Sequence, residues 1–366
     1  MEDLVNPWLG RRIFLTGHTG FKGSWLALWL TSLGAEVRGY ALDPSTEPNL
    51  FTAASVSDSI EDERGDIRNY AQLEASLTDF APEVVFHLAA QPLVRRSYAD
   101  PLGTYATNVM GTANLLEATR KCSTVRAVVC VTTDKCYQNQ EWVWPYRETD
   151  PLGGYDPYAS SKACVEIVSA AYRSSFFPPD RIHEHHVALA TARAGNVIGG
   201  GDWSEDRLIP DLVRSFLGRQ PALIRYPKAI RPWQHVLDAL HGYLLLAEQL
   251  LAGKTQFATS FNFGPGDEDA LPVEEIADKL AGIWGDGATW IRHADPGVHE
   301  AHFLRLDSSK ARAELQWAPL LRVEVALEWT ANWFRAWHQN ANMQQATLAQ
   351  IVAYQKLLSR SAVCNS

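Results

Sequence analysis

Cysteine, cationic charge and long apolar runs are all in short supply in this 366-residue chain. The five cysteines, Cys122, Cys130, Cys136, Cys164 and Cys364, are odd in number and none falls in Cys-x-x-Cys spacing. A thiolate zinc site and a fully paired disulfide framework are thereby excluded, and reduced thiols in a cytoplasmic protein are expected. Lys and Arg number 33 against 42 Asp and Glu, a formal charge of −9. That sign argues against nonspecific nucleic-acid binding, which rests on neutralising phosphates. It leaves room for a small anionic ligand held by a few local arginines. The longest apolar stretches, such as residues 25–30, fall far short of the about 20 residues that span a bilayer, so no membrane partner is expected. Residues 1–10 lack a basic segment followed by an apolar one, so a signal peptide is not expected. His183, Glu184, His185 and His186 have no supporting ligand pattern and read as a solvated loop; no metal is expected.

What is present is ordinary globular material, 46% hydrophobic and 20% charged, enough for a sizeable core. Strand and helix patterns alternate through the first half. Strands are predicted over residues 12–16, 36–42, 83–88, 126–131 and 187–192, and helices over 21–33, 70–79, 104–120 and 158–172. This rhythm predicts an α/β fold, a Rossmann-type doubly wound parallel sheet, with ligands outside the carboxyl ends of the strands. It loosens after Asn196, where Gly199, Gly200 and Gly201 break regular structure. A smaller, mixed α/β substrate-binding lobe is expected over 197–340. It includes a helix near 208–216 and strands near 222–225 and 261–263. Residues 1–196 form the nucleotide-binding domain, to which later segments over about 228–262, including a helix near 237–251, pack back. Residues 341–366 read as a tail with a loosely attached helix.

Gly17, Gly20 and Gly23 lie between the first strand and the first helix. Glycine there permits a tight turn and close approach of backbone to a pyrophosphate, and the helix start offers free N–H groups and positive potential. Asp43 ends the second strand. An acid there either holds a ribose 2′-hydroxyl, which favours NAD over NADP, or is a turn residue before Pro44. Asp66 and Ile67 sit in a turn that either contacts adenine or only closes the chain. Tyr158 and Lys162 are four apart in a helix and share a face. A tyrosine works as a base near neutrality only if its reference pKa of about 10 falls by about three units, which takes about 4 kcal/mol of differential stabilisation. Thr133, Asp134 and Lys135 follow the strand over 126–131 with a hydroxyl, a carboxylate and an amine at the carboxyl edge of the sheet.

These words, with His87-Leu88-Ala89-Ala90 and Thr107-Asn108-Val109-Met110-Gly111-Thr112, resemble the extended short-chain dehydrogenase/reductases. Longer stretches resemble their sugar-nucleotide epimerase/dehydratase group. They are Phe21-Lys22 in the glycine turn, Asp134-Lys135-Cys136-Tyr137, Gly153-Gly154-Tyr155-Asp156-Pro157-Tyr158, GNVIGGGDW over 195–203 and IRPWQHV over 230–236. The resemblance spans roughly residues 8–338. It implies an NAD site built from Gly17, Thr19, Gly20, Phe21, Lys22, Gly23, Asp43, Asp66, Ile67, Ala89, Ala90, Asn108, Tyr158 and Lys162. It implies a nucleotide-sugar substrate, CDP-glucose, contacted by Gln91, Asn196, Arg207, Arg225, Arg231 and His299. Arg231 and Asn196 match the positions that hold the diphosphate; Arg207 and Arg225 are either helpers or surface ion pairs. Trp203 either flanks the base or fills the core.

The chemistry implied is 4,6-dehydration, with Tyr158 as base at the C4 hydroxyl, Thr133 on the same oxygen and Lys162 on the cofactor ribose. Asp134 is the acid that helps the C6 hydroxyl leave. Related dTDP-glucose dehydratases carry Glu where Lys135 stands, so Lys135 is either the C5 base in neutral form or a charge that stabilises the enolate. A 4-epimerase would share Tyr158, Lys162 and NAD but has no use for an acid–base pair at C5 and C6. A non-catalytic nucleotide sensor would need the glycine turn but not the phenol. Members of the group associate as homo-oligomers through two helices, here about 104–120 and 158–172.

Overall fold

The computed structural model describes residues 6–294 and 303–364, with side chains described to Ser361. The first strands are β1 (Arg12–Thr16), β2 (Glu36–Ala41), β3 (Glu61–Arg64), β4 (Val84–His87), β5 (Ala127–Val131) and β6 (Ala188–Ala194), all short and mostly apolar except the charged edge strand β3. β4, β5 and β6 are buried at every residue, the pattern of a parallel sheet covered on both faces. Three short strands of the later half follow, β7 (Asn196–Ile198), β8 (Ala222–Ile224) and β9 (Ile230–His235), then β10 (Ser260–Phe263), β11 (Ala270–Pro272) and β12 (Trp290–Arg292).

Seven strands form one parallel sheet in the order β10-β6-β5-β4-β1-β2-β3. The chain runs outward from β1 through β2 to β3, then returns to place β4 on the other side of β1. That reversal opens a crevice beyond the carboxyl ends of β1 and β4, the place where such sheets take ligands. The two faces carry separate cores. Helices Phe21–Ser32 and Val236–Leu251 cover one; Tyr70–Phe80, Gly111–Lys121 and part of Pro157–Ser175 cover the other. A three-stranded sheet (β11-β9-β7) and a two-stranded one (β12-β8) make the smaller lobe.

Three expectations change. The strand over 261–263 is not in the smaller lobe. Phe261 pairs with Ala192, so β10 is the seventh strand of the main sheet, with buried Phe261 and Phe263 on either side of Asn262. The helix over 104–120 is broken into Pro101–Tyr105, a π-turn at Ala106–Met110 and Gly111–Lys121. Such wide turns occur at functional sites, and this one carries Asn108. The tail is no loose appendage. Helix Met343–Cys364 buries Ile351 and Tyr354 completely, and the Tyr354 hydroxyl donates to Asp238 at 2.7 Å.

Candidate active site

The glycine turn is a cradle that only glycine permits. Gly17 has φ +78°, and a Cβ there would come within 2.6 Å of the Ala89 nitrogen. A Cβ on Gly23 would meet the Gly17 carbonyl at 2.1 Å. Gly20 starts helix Phe21–Ser32 with no side-chain cap, which leaves its first N–H groups for an anion. Thr19 donates to Leu42 O, and the Ala89 N–H donates to Thr16 Oγ1 at 3.2 Å, so β1 and β4 are tied at the crevice. Ala90 lines the same strand end and is half-buried. His87 links Thr16 and Thr112, and burial lowers its pKa to about 3, so it stays neutral. The cradle and the uncapped helix fit a dinucleotide.

Asp43 follows β2 with its side chain 88% exposed and ion-paired to Arg64 at 3.2 Å. Asp66 is bound to Arg68, whose hydrogen bonds hold its carboxyl below the usual range. The Ile67 side chain is core; its carbonyl accepts from Asn114. Asn108 accepts from the Gln91 N–H and donates to Gln91 O and Ser161 Oγ. Ser161 in turn donates to Tyr158 O, so the π-turn braces the catalytic helix. The Gln91 side chain is committed to Leu93 and Thr104, and shapes the loop rather than reaching out from it.

Asp156 caps helix Pro157–Ser175, with Pro157 in its first turn. This fixes Tyr158 and Lys162 one turn apart, both buried. The Thr133 hydroxyl lies near the Tyr158 phenol, where it favours the ionised form, and donates to Asp134 Oδ1 at 3.0 Å. Burial pushes the Tyr158 pKa up to about 12, against the Thr133 hydrogen bond and the field of Arg207. The phenol is therefore neutral in the free chain and ionises only with help from a further cation. Burial lowers Lys162 to about 8, and its Nζ donates to Val131 O at 3.1 Å.

Asp134 is 1% exposed. Burial raises its pKa despite Lys135, Thr133 and Arg231, and its Oδ2 has no hydrogen-bond partner among the described residues. Burial thus shifts this carboxyl toward its protonated form, the form a general acid needs. The Lys135 N–H points to Thr133 Oγ1 at 3.4 Å, and its side chain is half-buried at the edge of the turn Asp134–Cys136. Lys22 reaches in from the glycine turn. Its Nζ donates to Tyr243 Oη at 3.3 Å, and burial with nearby Arg207 and Lys162 lowers its pKa to about 7. Tyr243, fully buried on helix Val236–Leu251, gave no signal in the sequence.

On the other wall, Arg231 on β9 is buried and close enough to Asp134 to lower its pKa. Arg207 pairs with Asp202 at 3.2 Å, and Asn196 starts β7 half-buried. Arg225 pairs with Asp206 at 2.7 Å, and Arg95, which sequence reasoning passed over, approaches the same carboxylate at 3.6 Å. Arg225 also lines a cavity of about 520 Å³ with Tyr226, Lys228 and Arg292. Trp203 is core, packed on Phe334 and Trp337. His299 lies outside the described residues. Among the described residues no cluster of His, Cys, Asp or Glu could hold a metal ion.

This constellation on a doubly wound sheet places the chain in a family: it belongs to the GDP-mannose 4,6 dehydratase family, whose profile matches residues 14–330. It is 51% identical over 355 residues to the CDP-glucose 4,6-dehydratase of Salmonella typhimurium, covering 97% of this chain and 99% of that one. It is 29% identical to the UDP-glucose 4-epimerase of Mycolicibacterium smegmatis, covering 88% of this chain and 98% of that one. Among solved structures, a dTDP-glucose 4,6-dehydratase from Streptomyces venezuelae with NAD bound is 26% identical. It has a TM-score of 0.75 and covers 91% of this chain and 99% of its own.

Proposed function

We infer that this protein is an NAD-dependent hydro-lyase that converts CDP-D-glucose to CDP-4-keto-6-deoxy-D-glucose. The observation that carries the reading is the turn Thr133–Asp134–Lys135 set against Tyr158 and Lys162, in a chain 51% identical to a CDP-glucose 4,6-dehydratase. NAD held in the glycine cradle would supply the hydride chemistry, oxidation of the sugar at C4 and reduction at C6. Tyr158 accepts the C4 hydroxyl proton, and Thr133 hydrogen-bonds the same oxygen. Lys162 supplies positive charge beneath the phenol and anchors the cofactor ribose. The C4 ketone acidifies C5. Lys135 removes the C5 proton or holds the resulting enolate by its charge, and Asp134 protonates the departing C6 hydroxyl. Epimerisation at C4 would leave the Asp134 carboxyl, buried and with its pKa raised by that burial, with nothing to do. Incubation of the purified protein with CDP-glucose and NAD tests the reading: a product lighter by one water is expected.

Arg231, Arg207 and Asn196 take the diphosphate in this reading. Arg95 and Arg225 are neutralised by Asp206 until the substrate arrives, so Asp206 competes with it. Asp206→Asn is expected to lower KM by about twofold to fivefold, the worth of an exposed ion pair. Asp206 has φ +58°, which asparagine also adopts, so the backbone should hold. A KM raised by the substitution would contradict the competition.

The chain also works as a homo-oligomer in this reading. Helix Pro101–Tyr105 and the π-turn Ala106–Met110 pack beside helix Pro157–Ser175 and leave Leu102, Met110 and Ile167 exposed at 81%, 57% and 56%. Ile167→Glu should shift sedimentation to the monomer; an unchanged mass in solution would rule out this face. No described helix is long and apolar enough to cross a membrane, and Cys122, Cys130, Cys136 and Cys164 are free. Free thiols support a reducing, cytoplasmic setting, and a thiol reagent added to the denatured protein without prior reduction is expected to label all five cysteines.

A further inference from the structure

Behind the catalytic residues lies a buried polar web to which no step of the mechanism assigns a role. At its centre Arg193 on β6 pairs with Glu166 at 2.8 Å, both side chains 3% exposed. Glu166 lies one turn beyond Lys162 on the catalytic helix. It also accepts from the hydroxyls of Thr132, at the end of β5, and Thr191 on β6. Arg193 does not stop at Glu166. Its Nη1 donates to the Tyr137 hydroxyl at 2.8 Å and to Glu148 O at 3.3 Å, and its guanidinium lies over the Tyr137 ring at 4.9 Å. Tyr137 immediately follows the turn Asp134–Cys136. Its hydroxyl donates to Asn262 Oδ1 on β10 at 2.7 Å. A single side chain thus spans from the helix that carries Tyr158 and Lys162 to the segment that carries Asp134 and Lys135.

A buried ion pair adds little net stability compared with well-packed apolar groups, because desolvation offsets the attraction. What it does supply is fixed geometry, and a guanidinium supplies it in several directions at once. The reaction needs that geometry. The same sugar must present C4 to Tyr158, then C5 and C6 to Lys135 and Asp134, without leaving the site. Each set of groups is useful only at the right offset from the other.

We propose that Arg193 is a positioning residue that locks the Asp134–Lys135 turn to the Tyr158–Lys162 helix through Tyr137 and Glu166, so that oxidation at C4 and elimination across C5 and C6 act on one bound sugar. The proposal rests on the roles assigned above. Loss of the link leaves C4 oxidation in place and stalls elimination.

The test is Arg193→Lys, which keeps a charge for Glu166 but cannot also reach Tyr137. Tyr137→Phe cuts the same link from the other end and leaves the ion pair intact. In single turnovers of holoenzyme with CDP-glucose, both should accumulate the reduced nicotinamide absorbance that is transient in the native enzyme. The kcat should fall by about 10-fold to 100-fold, as expected for misplacement of a catalytic group by about 1 Å, with KM within about threefold. The double variant should lose no more than the worse single one, because both remove one link. Unchanged kcat in both variants would overturn the proposal. So would a fall in kcat without accumulated reduced cofactor, the result of a merely structural role. Lys135→Met in the same assay separates the failures. If it accumulates reduced cofactor and the Arg193 and Tyr137 variants do not, the positioning role alone falls. If it does not, the assignment of the elimination pair falls first.

Discussion

Tyr158→Phe is expected to lower kcat by about 10³-fold or more while KM for the sugar nucleotide stays within about threefold. The hydroxyl is the only atom removed. It lies buried against Thr133, at the carboxyl end of β5, where the C4 oxygen must come. Its pKa of about 12 in the free chain means that no phenolate forms near neutrality without a further cation. The oxidised nicotinamide would supply that charge when NAD is bound. Phenylalanine keeps the packing, so thermal unfolding should move by less than a few degrees. A variant that kept more than a tenth of the native rate would remove Tyr158 from the chemistry. Spectrophotometric turnover with CDP-glucose and NAD measures it.

The second large effect concerns Asp134. Asp134→Asn should lower kcat by about 10²-fold to 10⁴-fold, the usual contribution of a general acid. Its character should differ from that of Tyr158→Phe. Oxidation at C4 does not use Asp134, so reduced cofactor should form at a near-native rate and persist, whereas Tyr158→Phe should form none. Burial already favours a neutral side chain at this position, so asparagine introduces no new charge imbalance. Equal rates of cofactor reduction and product formation in the variant would show that Asp134 does not act in elimination.

The parts of this site that sequence made legible are those fixed by local sterics. Gly17 and Gly23 could be read because the crowding that requires glycine arises within one turn of chain and from the adjoining strand. Tyr158 and Lys162 could be read because helical spacing puts them on one face. The β-α alternation gave five of the seven strands of the main sheet; β3, the charged run Glu61–Arg64 at its edge, has no apolar pattern to mark it. The seventh, β10, was misplaced because a short apolar run carries no mark of its partner, and its partner β6 lies some seventy residues back. The π-turn at Ala106–Met110 was hidden because one extra residue per turn barely changes the apolar pattern over a single turn. The tail was misjudged because its anchor is the long-range bond from Tyr354 to Asp238.

Among candidate site residues the same division holds. Arg231 and Asn196 came from the longer words, and the structure sets them on β9 and β7 of the smaller sheet. Arg95, Tyr243, Glu166 and Arg193 were passed over. Each is an ordinary residue in its own segment, and it takes on meaning only from a partner on another element. Lys22 was read as a cofactor contact from the turn it occupies. Its amine is directed toward Tyr243, in the field of Lys162 and Asp134, which only the folded chain displays.

The most direct test is the fate of a deuterium placed at C4 of CDP-glucose and followed by mass and NMR analysis of the product. The account predicts a product lighter by one water that carries the deuterium at C6, because the hydride leaves C4 and returns to C6 within one bound sugar. Unchanged mass with an altered configuration at C4 would mean epimerisation, and the argument from Asp134 and Lys135 would fail. Loss of water with the deuterium released to solvent would contradict the internal hydride return on which the account rests.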